Sequence, residues 1–157
     1  MPERSATEFA EGWIRMLIDA DFDRLGEFLA PDCVHVYPQS GERFRGIANI
    51  RAVFENYPGG FQRSQQMMDT LKVAGENDRW ALAPNFTLLR MTGGAGSYTT
   101  AVRGRYPDGS EWYIVTMFEL ADGLMTHAAM FFAPLFEAPD WRRPFAEPGQ
   151  TASSAST

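Results

Sequence analysis

The first part of the chain repeats apolar positions with a helical period. Ser5 precedes Glu8 by three residues, and this capping-box spacing predicts the start of a helix. Asp21 or Asp23 is the predicted cap of a second, short helix, which Pro31 is expected to end. The first helix has one wide apolar stripe, formed by Phe9, Ala10, Trp13, Ile14, Leu17 and Ile18. The pattern therefore predicts a helical hairpin.

A strand and a third helix follow the hairpin. From Cys33 to Tyr37 the period changes to two, which predicts a short strand that ends at Pro38. After Gly46 the helical period returns, and the chain then reaches Pro58-Gly59-Gly60. One side of this third predicted helix is apolar and carries Ile47, Ile50, Val53, Phe54 and Tyr57.

Beyond Phe61 the helical period is absent and turn signals recur. The signals divide the remainder into five predicted strands and lie at Gly75 to Asp78, Gly93 to Ser97, Pro107 to Gly109, and Asp122-Gly123. The order predicts an α+β fold, in which three N-terminal helices pack on one face of a mostly antiparallel meander. Long strands twist and curve, so we expect this sheet of about six strands to wrap around the helices and leave a cavity.

Length and composition indicate one domain. The chain has 157 residues, of which 45% are hydrophobic, and this content is sufficient for one core. We expect this domain to span residues 1–147. Residues 148–157 are small and polar and are predicted to form a disordered tail.

Charge and residue usage exclude several kinds of partner. The net charge of −6 comes without a basic cluster, which argues against nucleic acid and against a membrane surface as partners. Cys33 is the only cysteine, so no internal disulfide framework is possible. The start lacks an export signal and no apolar run is long enough to span a membrane, so a cytoplasmic location is expected. No spacing predicts a metal site or a cofactor.

Three short segments resemble one known superfamily. Asp21-Phe22-Asp23 follows the first helix, Ala30-Pro31-Asp32 precedes the first strand, and the chain ends in Phe136-Glu-Ala-Pro-Asp-Trp141-Arg142. With the element order, these segments resemble the nuclear transport factor 2-like (SnoaL-like) superfamily between Thr7 and Ala146. The ending is similar to that of a bacterial FEAPxWR subgroup whose members mostly lack an assigned activity. The resemblance implies a cone-like fold, in which Phe136 and Trp141 are expected to anchor the last segment against the cone.

The resemblance also allows the ketosteroid isomerase pattern to be carried onto the chain. Trp13 takes the place of a tyrosine that donates a hydrogen bond to the oxyanion, and Tyr37 that of the proton-shuttling aspartate. Phe54 replaces a supporting tyrosine, and Thr116 replaces a protonated carboxylic acid. Because the base and the donors are altered together, isomerisation by this route is disfavoured. The Arg-x-Asp signature of limonene epoxide hydrolase-like enzymes is missing, which disfavours that chemistry too.

His35 is the best remaining candidate for a general base. If Tyr37 faces the cavity, as its family counterpart does, strand alternation places His35 and Cys33 on the same face. A neutral imidazole beside the Tyr37 hydroxyl could serve enolisation, dehydration or cyclisation of a carbonyl compound. The alternative is a partly buried structural histidine whose polar atoms are satisfied by a neighbour. Cys33 has no basic partner nearby in the chain, so a nucleophilic role is disfavoured.

The other residues expected to line the cavity are mostly apolar. The resemblance to the isomerases implies ligand contacts at Trp13, Phe54, Thr116, Ala128, Met130 and Phe132, and alternation around Thr116 adds Trp112 and Phe118. We therefore predict a binding site for a small hydrophobic molecule, with no activity assigned. One alternative is a cofactor-independent polyketide cyclase, isomerase or dehydratase that acts on a small cyclic carbonyl compound.

The resemblance also implies a second alternative, a non-catalytic interaction module that forms a homodimer through the outer face of the sheet. Alignment with the isomerases implies that His127 lies on this outer face, away from the cavity. The mixed surface that suits a dimer contact comprises Thr99, Arg103, Arg105, Tyr113, Val115 and Met117.

Overall fold

The computed structural model describes residues 4–58, 72–74, 88–105 and 109–147. The predicted breaks at 59–60, 75–78 and 107–108 and the predicted tail at 148–157 lie outside the described residues. Among the described residues, no helix has the length and apolar character needed to cross a membrane.

The first helix, α1, spans Ala6–Asp19 and begins as the sequence predicts. The backbone N–H of Glu8 donates to Ser5 Oγ at 3.2 Å, and the backbone N–H of Ser5 donates to Glu8 Oε2 at 2.8 Å. The reciprocal pair satisfies two N–H groups that a helix start leaves without partners. Phe9, Trp13 and other members of the predicted stripe are buried against the sheet.

The second helix is a short 3₁₀ helix, Phe22–Glu27, which ends before Pro31 as predicted. Leu29, which was predicted on its inward face, instead begins a strand. Pro31 lies inside strand β1, Leu29–Tyr37, which begins four residues before the predicted start. Proline has no N–H to give to a sheet ladder. The pairing of β1 is correspondingly irregular between Leu29 and Val34.

Strand β2, Glu42–Arg45, was not predicted from the sequence. It pairs antiparallel with β1, placing Tyr37 opposite Glu42 and Val34 opposite Arg45. Three of its four residues are charged, so it shows no apolar alternation; such composition is typical of an edge strand. Helix α2, Ile47–Glu55, follows directly and matches the predicted third helix.

The five strands predicted after Phe61 are all present. They are β3 Lys72–Ala74, β4 Leu88–Gly94, β5 Ser97–Arg105, β6 Glu111–Ala121 and β7 Leu124–Pro134. Within the described residues the strand order is β2-β1-β7-β6-β5-β4-β3. Strands β4 to β7 form the expected antiparallel meander, whereas β3 pairs with β4 in parallel, which corrects the meander at that point. Strands β1 and β7 also pair in parallel.

Two tight hairpin turns set the register of the meander. Ala95 and Gly96 have φ angles of 51° and 84°, and Asp122 and Gly123 have 52° and 74°. Two consecutive positive φ angles are the signature of turns whose twist matches that of the strands. The second turn, together with a bulge between Glu119 and Leu120, sets the register in which Thr116 lies opposite Met130.

The helices cover one face of the sheet, here called the inner face. Side chains of α1, α2 and the first 3₁₀ helix share one core with Cys33, Phe118 and Ala128. Alternation assigns Val34, His127 and Met117 to the opposite, outer face. Irregular pairing in the β1/β7 and β6/β7 ladders bends the sheet around the helices. The α+β prediction of helices packed on a curved, mostly antiparallel sheet is confirmed.

The segment after β7, Leu135–Phe145, is called the C-terminal arm. It ends in a 3₁₀ turn, Arg143–Phe145, and its aromatic side chains lie in solvent. Phe136, Trp141 and Phe145 are 77%, 75% and 86% exposed. The expectation that Phe136 and Trp141 anchor this segment against the cone is therefore wrong, because the arm leaves the sheet beyond β7 and these side chains point outward.

Candidate functional site

Strand β1 carries His35 into the centre of the inner face. The imidazole is 1% exposed and lies between one ring from α1 and one from α2. Its ring centroid is 6.1 Å from that of Trp13 and 6.5 Å from that of Phe54, and the two flanking rings are 6.3 Å apart. All three contacts have edge geometry, so the structure brings together three residues predicted for the site.

One polar atom in this cluster has no partner. His35 Nε2 is buried and makes no hydrogen bond within the described part of the chain. Leaving a buried polar atom unsatisfied costs about 1–3 kcal/mol, so native proteins rarely do so. The sequence left open that His35 is a structural histidine whose polar atoms bond to a neighbouring residue. At Nε2 the described residues provide no such bond.

The surroundings also set the charge state of His35. Burial, and then the nearby His127, lower the pKa of His35 from 6.5 to about 4. Water solvates an imidazolium far better than aromatic rings do, so the neutral form is favoured. At neutral pH the ring is uncharged, with one nitrogen able to accept a hydrogen bond and one able to donate.

Tyr37 lies two residues further along β1, on the same face as His35. Its ring contacts Phe44 and Phe132, with centroids 5.2 and 5.3 Å away. Burial, and then Glu42, raise the pKa of Tyr37 to about 12, so the hydroxyl stays protonated. The position predicted to hold a catalytic group therefore holds a neutral hydrogen-bond donor.

Gln39 is a site residue that sequence reasoning missed. Its side-chain Nε2 donates to the Phe132 carbonyl at 2.9 Å, and its Oε1 accepts from the Phe132 N–H at 2.7 Å. The side-chain amide thus extends the β1/β7 ladder past the end of β1 and holds Phe132 beside Tyr37. A glutamine after Pro38 carries no sequence signal for this role; only the strand pairing reveals it.

The remaining predicted contacts follow a gradient of exposure along the inner face. At the closed end, Phe118 and Ala128 face one another across β6 and β7 and are buried. Phe118 also stacks on Phe9 at 5.7 Å, so the core is filled there. Met130 is buried as well, whereas its partner Thr116 is only half-buried.

Toward the start of β6 and the end of β7 the residues of the inner face are more exposed, and this part is called the open end. Ile114 lies opposite Phe132, and Trp112 lies opposite Pro134 at the rim. The indole N–H of Trp112 donates a hydrogen bond to Ser110 Oγ, two residues earlier in the chain, at 2.9 Å. Tyr37, Phe132, Ile114 and Trp112 are all half-buried. The predicted ligand residues thus divide into a buried group around His35 and an accessible group at this rim.

Two other predicted positions have structural roles. Cys33 is fully buried, and burial followed by Asp32 raises the pKa of its thiol to about 11, which leaves it an inert thiol at neutral pH. Arg103, expected in the mixed surface of the outer face, is only 7% exposed and forms an ion pair with Glu111. It is therefore committed within its own chain, a correction to the predicted surface.

The side chains near the site determine which kinds of ligand it suits. Within residues 4–58, 72–74, 88–105 and 109–147, no three His, Cys, Asp or Glu side chains are grouped so as to hold a metal ion. What the arrangement offers is an uncharged hydrogen-bonding nitrogen surrounded by aromatic rings, with a protonated phenol nearer the open end.

Comparisons with known proteins agree with this architecture. The model of the SnoaL-like domain family matches residues 10–128. No curated protein matches the sequence. Among solved structures, an NTF-2 like protein of unknown function from Burkholderia xenovorans is 24% identical, with a TM-score of 0.67 over 90% of this chain and 92% of that one.

Two further structures are similar. A candidate ketosteroid isomerase from Kribbella flavida is 20% identical, with a TM-score of 0.65 over 90% of this chain and 89% of that one. A candidate isomerase from Bacillus subtilis is 16% identical, with a TM-score of 0.57 over 81% of this chain and 85% of that one. At these identities the likeness concerns the fold, and it agrees with the cone-like shape predicted from the resemblance.

Proposed function

Because the chain belongs to the SnoaL-like domain family, we propose that it binds a small, uncharged hydrophobic molecule against the inner face of its sheet. In this proposal His35 supplies the polar contact. The family fold serves several chemistries as well as binding, so the proposal depends on the side chains of this chain rather than on the family.

The observation that carries the proposal is the buried, unpartnered Nε2 of His35. A ligand hydroxyl that donates to this nitrogen would remove the unsatisfied atom and make a hydrogen bond sheltered from water. The aromatic rings of Trp13 and Phe54 beside it favour a planar or cyclic apolar ligand.

The half-buried open end supports the same proposal. Tyr37, Phe132 and Ile114 place apolar surface within reach of solvent on the face that carries His35. The phenol of Tyr37 adds a second neutral polar group on the expected path of a ligand. Sites for small apolar ligands typically combine such walls with a few polar groups.

A matched pair of probes tests the proposal. 2-Naphthol and naphthalene have the same ring system, and only the first can donate a hydrogen bond to Nε2. We expect 2-naphthol to bind about 2–10-fold more tightly, the value of one net hydrogen bond. In a His35→Leu variant this preference is expected to disappear, whereas a His127→Gln variant keeps it.

Nitrogen NMR of the imidazoles provides the readout. The chain contains two histidines, so the His127→Gln variant assigns both ring systems. Saturating 2-naphthol is expected to shift Nε2 of His35 and to leave His127 nearly unchanged. Equal binding of the two probes, or a response confined to His127, contradicts the proposal.

A second candidate is acid–base catalysis on a cyclic ketone, with His35 as base and Tyr37 as donor. Its support is the pairing of a neutral imidazole and a protonated phenol two residues apart on one face. Binding ranks first, because a base whose conjugate acid has a pKa of about 4 abstracts protons weakly at neutral pH.

Exchange of α-protons on 2-tetralone in D₂O tests catalysis directly. The enzyme hypothesis predicts faster exchange with the protein than with buffer, a loss of that acceleration in His35→Leu, and an inflection near pH 4. A buffer-level rate across the pH range rejects catalysis and leaves the binding proposal standing.

A further inference from the structure

Strand β1 ends before its neighbour β7 does. The two strands pair in parallel as far as Val36 and Ala129, whereas β7 continues to Pro134. Pro38, the residue after β1, has no backbone N–H with which to continue the ladder. The backbone of β7 beyond Ala129 therefore needs hydrogen-bond partners from outside β1 on this side.

The side-chain amide of Gln39 supplies these partners at Phe132. Its Nε2 donates to the Phe132 carbonyl at 2.9 Å, and its Oε1 accepts from the Phe132 N–H at 2.7 Å. The two backbone groups of a strand residue point to the same side, so Phe132 directs both of them away from β6. One side chain thus takes the place of a strand residue at this point of the sheet.

The turn that carries Gln39 is fixed by contacts of its own. The carbonyl of Tyr37 accepts hydrogen bonds from the backbone N–H groups of Ser40 and Gly41 at 3.2 and 2.8 Å. The Ser40 hydroxyl donates to the same carbonyl at 3.3 Å. An ordered segment loses less conformational entropy when it makes a contact, so the contact with β7 forms again readily after each break.

Gln39 also fixes the position of an aromatic ring. The ring of Phe132 contacts that of Tyr37, with centroids 5.3 Å apart and planes at 78°. Tyr37 contacts Phe44 of β2 in the same way, at 5.2 Å and 64°. These three rings belong to adjacent strands and are here called the aromatic rim. Gln39 holds the Phe132 end of this rim.

The aromatic rim lies between His35 and the open end. Tyr37 follows His35 by two residues on the same face, and His35 is only 1% exposed while the rim is in place. A molecule of the size of naphthalene therefore reaches the Nε2 of His35 only when a neighbouring side chain moves aside.

The contact made by Gln39 is the part of these surroundings that lies nearest to water. Gln39 is exposed, so water competes for both of its hydrogen bonds. Trp13 and Phe54, which flank His35 from the helices, are instead buried in the core. Movement of Phe132 therefore disrupts less packing than movement of either helix ring.

We propose that Gln39 controls the passage of ligands to His35. While both hydrogen bonds are made, Phe132 stays against Tyr37 and the aromatic rim is closed. When they break, the Phe132 ring turns away from Tyr37 and a flat molecule passes. Gln39 is a positioning residue, because it acts through Phe132. The inference rests on the proposed binding of a small apolar molecule at His35.

Hydrogen exchange of backbone amides measures rim opening without a ligand. Two net hydrogen bonds correspond to a roughly 5–150-fold change in an equilibrium, so Gln39→Ala is expected to speed exchange at the Phe132 amide at least fivefold. The amide of Phe131, which pairs with Val115 in the β6/β7 ladder, is expected to keep its rate. An unchanged rate at Phe132 overturns the inference.

Nuclear magnetic resonance line shapes in titrations with 2-naphthol measure ligand passage. Gln39→Ala is expected to raise the association and dissociation rate constants together, each at least about fivefold, and to change Kd less than about threefold. Both rate constants rise because an entrance affects both directions of passage equally. Loss of a contact that merely supports the bound state would raise the dissociation rate constant alone.

Matched variants separate the contributions to this effect. Gln39→Glu keeps an oxygen that accepts from the Phe132 N–H and loses the donor, so intermediate rates are expected. Phe132→Ala removes the ring, and Gln39→Ala is expected to add no further acceleration to it. Arg43→Gln, an exposed change on the outer face of β2, is the control that keeps native rates. Circular dichroism melts confirm that each variant is folded.

The outcomes distinguish this inference from the proposed function. Native rate constants in Gln39→Ala, with binding of 2-naphthol that still depends on His35, overturn control by Gln39 and leave the binding proposal standing. A Kd that rises only through faster dissociation overturns it as well. A native chain that binds neither 2-naphthol nor naphthalene contradicts the proposed function, and Gln39 then has no passage to control.

Discussion

The same residue types have opposite environments in two regions of the molecule. Around α1 and the closed end, Phe9, Phe28 and Phe118 are almost completely buried, and the ring of Phe9 lies 5.7 Å from each of the other two. In the C-terminal arm, Phe136 and Trp141 lie in solvent. Aromatic content alone thus does not indicate a core residue. What decides is whether the helical or strand period places the ring on the inner face.

The largest expected effect is at the closed end. Phe28→Ala removes a fully buried ring on which Phe9 and Trp13 pack, and we expect a loss of about 3–5 kcal/mol in the free energy of unfolding. Urea unfolding followed by circular dichroism measures this loss. A change below about 1 kcal/mol would show that the closed end is not the packed core.

The next effect concerns pH and His35. The pKa of His35 is about 4 in the folded chain and 6.5 in the unfolded chain. Between pH 6.5 and pH 4, His35 is therefore protonated in the unfolded chain and neutral in the folded one. Stability is therefore full above pH 6.5 and falls as the pH drops to 4, by about 3 kcal/mol for this one group.

Carboxylates titrate over the same range, so the prediction concerns a difference between proteins. Unfolding free energies at pH 7 and pH 4 are compared for the native chain and for His35→Leu. The variant is expected to lose about 3 kcal/mol less between the two pH values. Identical pH dependence would mean that His35 is not buried as a neutral ring.

Most, but not all, of the helices and strands could be predicted from the sequence. The helix α1, the strand carrying His35 and the five later strands follow from periodicity and turn residues, because local pattern determines them. The edge strand at Glu42–Arg45 was missed, since its charged residues carry no alternation. The parallel β3/β4 pair was missed because strand direction depends on connections rather than on composition.

The candidate site was only partly predictable. Alternation from Tyr37 placed His35 and Cys33 on one face, whereas the pairing of Phe118 with Ala128 depends on a bulge between Glu119 and Leu120 that the sequence does not signal. The contact between Gln39 and Phe132 joins segments more than 90 positions apart in the chain, so local pattern does not predict it. The missing partner at His35 Nε2 depends on how the side chains around it pack in three dimensions. The sequence also led us to expect that Phe136 and Trp141 anchor the last segment, whereas both side chains are exposed.

A smaller effect tests the start of α1. Ser5→Ala removes the Ser5 Oγ that accepts from the Glu8 backbone N–H, and the backbone N–H of residue 5 can still donate to Glu8; we expect the free energy of unfolding to fall by about 1 kcal/mol. Ser5→Asn retains a capping oxygen and provides the control. If Ser5→Ala and Ser5→Asn unfold at the same urea concentration, the cap does not stabilise the fold.

The smallest effect is expected in the arm. Phe136→Ala leaves the core untouched, so the unfolding free energy of the monomer should change by no more than about 0.5 kcal/mol. Measurement at nanomolar concentration removes any contribution from association. A loss comparable to that of Phe28→Ala would place Phe136 in the core of its own chain and erase the contrast between the two regions.

The central claim is that His35 is the polar contact for a bound apolar molecule. A crystal structure of the protein with 2-naphthol tests it most directly. We predict the naphthol oxygen within about 3 Å of His35 Nε2, with the rings against the inner face between Trp13 and the open end. A naphthol bound elsewhere, with the interior beside His35 filled by the protein's own side chains, would contradict the account.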